Sequence, residues 1–423
     1  MNFERERFIY EVREAVSAAI DMTEDPRDDE ILERVRSEVF SRSRGCLLTV
    51  GEKKEVVDRV FNALRRLDVL QPLLEDDSIT EIMINGPEAI FIERNGRVQR
   101  LDKRFESREK LENIIQTIVS TVNRAVNEAS PIADARLQDG SRVSVVLPPV
   151  ALNGPILTIR KFSREPMTMD RLIQYGSLTP EIAEFLKLLV RAKYNIFVCG
   201  GTGSGKTTML NALSNFIPGD ERIITIEDSA ELQIVSVPNI ISLETRDANT
   251  EGRGQVGIRD LIRASLRMRP DRVVVGEVRG AEAIDMLQAM NTGHDGSLST
   301  GHANSAEDML SRLETMVLSG AQLPLDAVRK QIASALDIII HLGRLRDRSR
   351  RVLEISEVLD CRHGEIRLNP LYHFRETGEA NGRITGVLEE TPNSLLNRHK
   401  LLLAGFSDQN TSQTGFERKE EGA

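Results

Sequence analysis

The sequence predicts an α/β fold for the C-terminal part of the chain, and three observations support this prediction. Short apolar runs alternate with helical patterns from residue 179 onward, as in a parallel sheet covered by helices. The run at 196–198 leads into a glycine-rich stretch, which is followed by an apolar helical pattern. The runs at 223–226 and 273–275 have the length of buried strands. We therefore place an α/β domain at 179–404.

The N-terminal region has the pattern of a helical bundle. Apolar residues recur at helical spacing through much of residues 1–70. Thr49 is followed three positions later by Glu52, which is a capping-box pattern and predicts the start of a helix. A small bundle of helices over residues 1–70 is the plain interpretation of these patterns.

The spacing of the apolar residues changes between residues 71 and 162. Alternating apolar residues flank the dipeptide Asn95-Gly96, which is a strong signal for a hairpin turn. A helical pattern and two further strand patterns follow. We interpret 71–162 as a small α+β domain and 163–178 as the linker that leads onward.

The sequence patterns that predict helices and strands weaken after residue 345. Of the remaining chain, only 352–359 has the pattern of a strand, and 394–404 has that of a short helix. From residue 405 the chain is polar, which predicts a disordered tail over 405–423. We find no internal repeat in the sequence.

Composition and charge exclude several classes of function. A chain of 423 residues suggests two or three domains, and a net charge of -9 argues against a dedicated nucleic-acid binder. Cys46, Cys199 and Cys361 lie far apart, which argues against a disulfide framework or a cysteine zinc site. No apolar run reaches the roughly 18 residues of a membrane span. We expect a soluble, cytoplasmic protein that can dock on a membrane protein.

The glycine-rich stretch after the first strand fits the phosphate-loop pattern G-x-x-x-x-G-K-[ST]. Its backbone N–H groups and the helix N-terminus favour phosphate, so Lys206 is expected to reach the β- and γ-phosphates of ATP. The hydroxyl of Thr207 is expected to bind Mg²⁺. A glycine-rich turn without a ligand is the alternative. The predicted cofactor-binding residues of the loop are Gly201, Thr202, Gly203, Ser204, Gly205, Lys206, Thr207 and Thr208.

Two acidic residues close predicted strands and are candidates for chemistry. Glu277 ends the run DRVVVGE, where a carboxylate would face the nucleotide and hold the Mg²⁺ shell or polarise water. Gly276 occupies the usual aspartate position, so Glu277 would carry this role alone. Glu227 ends another strand and is a candidate general base for the attacking water. Either carboxylate could instead lie on the surface or cap a helix.

Two histidines and two arginines complete the candidate site. His294 and His302 stand beside glycines, where a histidine can sense a γ-phosphate, although a lone histidine is more often packed or solvated. Arg142 and Arg160 lie in the α+β domain. Arginine stabilises charge that develops during phosphoryl transfer, but on spacing alone these are ordinary surface residues.

Four sequence blocks occur in an order that points to one family. GGTGSGKTT, TIEDSAEL, LRMRPDRVVVGEVRGAEA and AMNTGHDGSLSTGHAN resemble the Walker A, Asp box, Walker B and His box of the secretion-superfamily ATPases. These ATPases drive type II secretion, type IV secretion and type IV pilus assembly. Upstream, EIMINGPEAIFIERNGRV, SPIADARLQDGSRV and TIRKF resemble the tight-adherence (Flp) pilus assembly branch. The resemblance covers about residues 70–360.

The resemblance implies a RecA-like ATPase domain in a hexameric ring that hydrolyses ATP with Mg²⁺. It implies polytopic inner-membrane platform proteins as partners, at the inner face of the cytoplasmic membrane. It implies that Glu227 activates water, that Glu277 is the Walker B glutamate, and that His302 is the His-box histidine with His294 near it. It also implies that Arg142 and Arg160 meet the phosphates.

Other functions stay open on sequence alone. A type IV secretion traffic ATPase would share the active site and differ in its membrane partners. A nucleotide-binding scaffold that hydrolyses little would not need Lys206, Glu227 and Glu277 together. A P-loop kinase would need an acceptor pocket and a lid, for which we see no insertion. The tetracysteine module of many type II secretion ATPases is absent from the sequence, which favours the tight-adherence or type IV secretion branches.

Overall fold

The chain divides into two compact units, Met1–Ser163 and Arg164–Ala423. The computed structural model describes residues 2–19, 26–45, 48–94, 96–121, 126–162, 167–246, 248 and 253–406. Within these residues, no helix combines the length and the apolar character needed to cross a membrane. Helices and sheets occur in both units, and the predicted α/β class is confirmed.

Three helices open the first unit: α1 (Asn2–Ala19), α2 (Asp28–Arg42) and α3 (Val50–Arg65). The predicted capping box is present at α3, where the backbone N–H of Thr49 donates to the Glu52 carboxylate at 2.8 Å. The three helices bury one shared apolar core, which fits their amphipathic patterns. Its fully buried members are Val12, Val16, Ile31, Val35, Val39, Val56 and Val60.

A six-stranded antiparallel sheet follows in the first unit, after the short helix α4 (Gln71–Glu75). Its spatial strand order is β3-β2-β1-β6-β5-β4. Helix α5 (Arg108–Ser120) packs into the same core as the sheet through an apolar face that includes Leu111 and Ile115. The strands are β1 (Ile79–Asn85), β2 (Ile90–Arg94), β3 (Arg97–Arg100), β4 (Ile132–Arg136), β5 (Arg142–Val146) and β6 (Ile156–Arg160).

The second unit is built on a nine-stranded sheet with the order β15-β14-β13-β12-β7-β11-β10-β8-β9. Strands β12, β7, β11, β10, β8 and β9 run parallel, and β13 to β15 are added antiparallel. Parallel strands end at one edge, so the residues that close them come together. The strands are β7 (Ile196–Gly200), β8 (Ile223–Glu227), β9 (Ile240–Glu244), β10 (Arg272–Val275), β11 (Leu298–His302), β12 (Ile338–Arg344), β13 (Arg350–Arg362), β14 (Glu365–Ala380) and β15 (Arg383–Glu390).

Helices cover the sheet and create two apolar cores. Leu186 and Leu210 belong to one core, and Ile262 and Leu313 belong to the other. Both cores take residues from the parallel strands, which explains the nearly continuous apolar runs in the sequence. The helices are α6 (Met169–Gln174), α7 (Pro180–Arg191), α8 (Lys206–Ser214), α9 (Ile258–Ser265), α10 (Ala283–Asn291), α11 (Ala306–Gly320), α12 (Leu325–Ala335) and α13 (His399–Leu403).

The C-terminal elements differ from the sequence prediction. The strand predicted at 352–359 is part of the longer β13, and β14 and β15 were not predicted at all. Most residues of β14 are exposed or half-buried, so its sequence lacks the apolar alternation of a buried strand. The helix predicted at 394–404 is the shorter α13.

A network of buried polar groups fixes the amino-terminal edge of the parallel strands. The backbone N–H of Asn195 donates to Asp337 at 2.7 Å, and the Asn195 side-chain oxygen accepts the N–H of Gly296 at 2.8 Å. Lys400 donates to Asp337 at 2.6 Å and to the exposed Asp295 at 2.8 Å. This network holds α13 against the start of β7 and β12.

Candidate active site

A glycine-rich loop joins the carboxyl end of β7 to the start of α8. Gly203 and Gly205 have φ values of 71° and 97°, a region that side chains with a Cβ rarely adopt. A Cβ at Gly200 would collide with the carbonyl oxygen of Leu342 on the neighbouring strand. The loop therefore requires glycine where the phosphate-loop pattern has it.

The loop presents groups suited to an anion. The Oγ atom of Ser204 is buried without a hydrogen-bond partner. Thr207 and Thr208 lie half-buried in the first turn of α8, where backbone N–H groups lack helical acceptors. Arg350, which was not among the predicted site residues, donates from Nε to the carbonyl oxygen of Gly203 at 2.8 Å. A phosphate at this point would meet unpaired donors and a favourable helix dipole.

Lys206 is buried beneath the loop. Its Nζ donates to the carbonyl oxygen of Gly201 at 3.1 Å and lies 3.2 Å from Nδ1 of His302. Burial lowers the pKa of Lys206, and the Glu277 carboxylate opposes that shift. An ammonium group in this position can only donate to Nδ1, which assigns the His302 proton to Nε2.

The His302 ring lies between the loop lysine and a carboxylate. Nε2 of His302 is 3.0 Å from Oε1 of Glu277. His302 is the last residue of β11, and Glu277 follows the neighbouring strand β10. The contact lacks hydrogen-bond geometry, so Oε1 stays buried without a hydrogen-bond partner. Burial and the charge of Lys206 lower the pKa of His302, so the ring is neutral near pH 7. The structure thus brings together three of the candidate residues, Lys206, His302 and Glu277.

Two further charged residues continue this chain of contacts. Nη2 of Arg279 lies 2.8 Å from Oε2 of Glu277, and Nη1 lies 3.5 Å from Oδ2 of Asp228. Sequence analysis missed both Arg279 and Asp228. The signal for Arg279 was its position two residues after Glu277, just beyond the carboxyl end of β10.

Glu227 is buried at the end of β8, next to β10. Its Oε1 accepts the backbone N–H groups of Glu231 at 3.0 Å and Leu232 at 3.1 Å. Burial raises the pKa of Glu227 to about 7, against the effect of these hydrogen bonds. A Cβ at Gly276 would lie 2.9 Å from Cγ of Glu227. The glycine in the usual aspartate position therefore makes room for the second carboxylate.

The structure does not bring His294 to the loop. His294 precedes β11, whereas His302 closes it, so the two histidines lie at opposite ends of that strand. Nδ1 of His294 is 3.1 Å from the carbonyl oxygen of Ala289, in the last turns of α10. His294 therefore lies beside the end of α10, and the described structure gives it no hydrogen bond to the other predicted site residues.

Arg142 and Arg160 belong to the first unit. They are direct partners across β5 and β6, so their side chains leave the same face of the six-stranded sheet. Arg160 also faces Glu81 on β1. Two neighbouring arginines make a basic pair suited to phosphate, and their predicted role stays a prediction.

The site residues fit a magnesium ion bound together with phosphates. Mg²⁺ prefers oxygen ligands and takes few of them from protein when a nucleotide is present. The Thr207 hydroxyl and the Glu277 carboxylate, with its buried unpartnered Oε1, are such ligands. No group of three or more potential ligands was found in the part of the chain that the structure describes. This sparse set suits Mg²⁺ better than zinc.

The sequence matches a known family over most of its length. The model for the type II/IV secretion system protein family matches residues 64–387. The type IV secretion system protein VirB11 of Brucella suis biovar 1 is 34% identical over 313 residues, which span 68% of this chain and 87% of VirB11. The type IV secretion system protein PtlH homolog of Bordetella bronchiseptica is 34% identical over 325 residues, or 70% of this chain and 96% of that protein.

Among solved structures, the pilus retraction motor PilT with bound ADP resembles this chain. The TM-score is 0.50 at 20% sequence identity, and the match covers 84% of this chain and 90% of PilT. At that identity the likeness concerns the fold alone.

Proposed function

The chain belongs to the type II/IV secretion system protein family, and from this premise we propose that it is an ATP-hydrolysing motor. It powers pilus assembly or protein secretion across the inner membrane, in the manner of the tight-adherence systems. The observation that carries the proposal is the chain of contacts from Lys206 through His302 to Glu277, directly behind the phosphate loop. A scaffold without turnover would have no use for a buried carboxylate oxygen, Oε1 of Glu277, that is left without a hydrogen bond.

In the proposed reaction the loop amides and Lys206 hold the phosphates of ATP. Glu227 acts as the general base that takes a proton from the attacking water. A pKa of about 7 suits this role, because a base works best when its pKa lies near the operating pH.

Thr207 and Glu277 would hold Mg²⁺, which would neutralise charge on the phosphate oxygens of the bound nucleotide. His302 keeps Glu277 and Lys206 apart as a neutral spacer, since its pKa is lowered. Arg142 and Arg160 are proposed to stabilise the phosphate charge, so Arg142→Ala should bind ATP and turn over slowly.

The working form is proposed to be a homo-oligomer, a hexamer, at the inner face of the cytoplasmic membrane. Its partners would be polytopic inner-membrane platform proteins. The test is Mg²⁺-dependent ATP hydrolysis by the purified protein over a concentration series, beside Glu227→Gln. A rate that rises more than linearly with concentration, and that collapses in the variant, supports an assembled motor. Hydrolysis that persists in Glu227→Gln would remove Glu227 as the base.

A type IV secretion traffic ATPase is the second candidate function. The similarity to VirB11 and to the PtlH homolog favours it, since both carry type IV secretion in their names. The active site does not distinguish the two functions. Stimulation of the ATPase by tight-adherence platform proteins, but not by type IV secretion components in matched vesicles, would support the first function, and the reverse result would support the second.

A further inference from the structure

Arg279 contacts carboxylates from two of the four sequence blocks that resemble the family. It lies 2.8 Å from Glu277 in the Walker B block and 3.5 Å from Asp228 in the Asp box. Two other cationic side chains lie near Glu277. Nε2 of His302 is 3.0 Å from Oε1 of Glu277, and Nζ of Lys206 is 3.2 Å from Nδ1 of His302. Histidine and lysine can both lose their charge by deprotonation. Arg279 is the one of these groups whose charge is permanent.

The backbone of Arg279 is fixed while its guanidinium group is accessible. Oε1 of Glu282 accepts the backbone N–H of Arg279 at 2.7 Å and that of Gly280 at 2.8 Å. The Arg279 side chain is 59% exposed. The guanidinium group can therefore rotate away from Glu277 without a change in the backbone.

We propose that Arg279 is a positioning residue that competes with the metal–nucleotide complex for Glu277. The inference rests on the proposed function, because it requires that Glu277 faces Mg²⁺. Arg279 and a divalent cation would both bind the Glu277 carboxylate. Their positive charges would repel each other, because two groups bound to one carboxylate lie within a few ångströms. A metal ion at Oε1 of Glu277 would meet the charge of the guanidinium group held at Oε2, so metal binding and the Arg279 contact weaken each other. The phosphates of the nucleotide supply the additional attraction, so Mg²⁺ binds with ATP rather than before it.

The experiment measures Mn²⁺ binding to the full chain without nucleotide, from the electron paramagnetic resonance signal of free Mn²⁺. Mn²⁺ takes the same oxygen ligands as Mg²⁺. Arg279→Ala should bind Mn²⁺ about five- to tenfold more tightly than the unchanged protein, the size expected for a charge-assisted hydrogen bond in a half-exposed pair. Glu277→Gln added to Arg279→Ala should remove this gain.

Arg263→Ala is the matched control. Arg263 is 57% exposed and pairs with Asp285 at 2.8 Å, so it resembles Arg279 in exposure and pairing. Its loss should leave Mn²⁺ affinity unchanged. Arg279→Lys keeps the charge without the planar fork and should give a smaller gain, which keeps the test informative if Arg279→Ala folds poorly.

Binding of a fluorescent ADP analogue to the same samples separates the inference from the proposed function. If the unchanged protein binds the analogue and neither Arg279 variant gains Mn²⁺ affinity, the role of Arg279 is overturned and the function stands. An equal gain in Arg263→Ala, or a gain that survives Glu277→Gln, overturns that role as well. If the unchanged protein binds no analogue, the proposed function itself is overturned.

Discussion

The two edges of the nine-stranded sheet both carry buried polar groups, and they differ in how these groups are satisfied. At the amino-terminal edge, Asp337 accepts from Asn195 at 2.7 Å and from Lys400 at 2.6 Å. At the carboxyl edge, Oε1 of Glu277 and Oγ of Ser204 are buried without hydrogen-bond partners. Because proteins rarely leave buried polar groups unpaired, we expect the ligand to bind at the second edge.

A second ion pair at the amino-terminal edge also has hydrogen-bond partners for its buried charges. Arg272 begins β10, has no exposed side-chain surface, and makes two hydrogen bonds of 2.7 Å to Glu221. It also donates to the carbonyl oxygen of Val190 at 2.6 Å. A buried charge with this many partners holds elements together, whereas a buried charged group with an unpartnered atom is a candidate for ligand binding.

Lys206→Ala tests the carboxyl edge and should have the largest effect. Turnover should fall by about 10²–10³-fold, the loss typical of removing a donor to developing charge. The unfolding temperature should not fall, because the change removes a buried cation whose hydration was already lost. Lys187→Ala is the control, since Lys187 pairs with Glu184 on the exposed side of α7. Normal turnover in Lys206→Ala would contradict the assignment of the loop.

Asp337→Ala tests the amino-terminal edge. It leaves Lys400 without its buried partner and should lower the free energy of unfolding by about 3 kcal/mol. Asp295→Ala removes the exposed partner of the same lysine and should cost less than about 1 kcal/mol. Turnover of the folded protein should be unchanged in both. Chemical denaturation measures the loss of unfolding free energy in each variant. Equal losses would show that burial does not determine how much each ion pair contributes.

The pH dependence of kcat/KM tests the role of Glu227 as a base. A carboxyl with a pKa of about 7 is protonated below that pH and cannot accept a proton. The value of kcat/KM should therefore fall by about tenfold per pH unit below pH 7 and level off above it. A flat profile between pH 5.5 and pH 8 would exclude this base.

Gly276→Ala should have the smallest effect. The added Cβ would displace the Glu227 side chain by a few tenths of an ångström, since it would lie 2.9 Å from Cγ. We expect kcat to fall about three- to tenfold with KM unchanged, because the change affects the base and leaves the phosphate loop in place. A change in KM alone would show that Gly276 serves nucleotide binding instead.

Local sequence patterns were sufficient for much of the second unit and for part of the site. The strand, glycine-rich loop and helix around Lys206 are adjacent in sequence, so one motif predicts them together. Glu277 and Glu227 were found because each closes an apolar run. The confirmed α/β class follows from the same runs, since parallel strands are buried on both faces.

Contacts between distant residues could not be predicted in this way. Lys400 meets the carbonyl oxygen of Lys193, and Asn195 meets Asp337, across separations of 207 and 142 residues. No local pattern encodes such pairs. Arg279 was missed for a related reason, because its significance depends on Asp228, which arrives from another strand. The strands β14 and β15 were missed because exposed hairpins need no apolar alternation.

Titration calorimetry with a non-hydrolysable ATP analogue and Mg²⁺ tests most directly whether the carboxyl edge is a nucleotide site. The unchanged protein should bind the analogue, Asp295→Ala should bind it equally well, and Lys206→Ala should lose most of the affinity. Equal binding in Lys206→Ala and the unchanged protein, or no binding to either, would contradict the assignment of this edge to ATP.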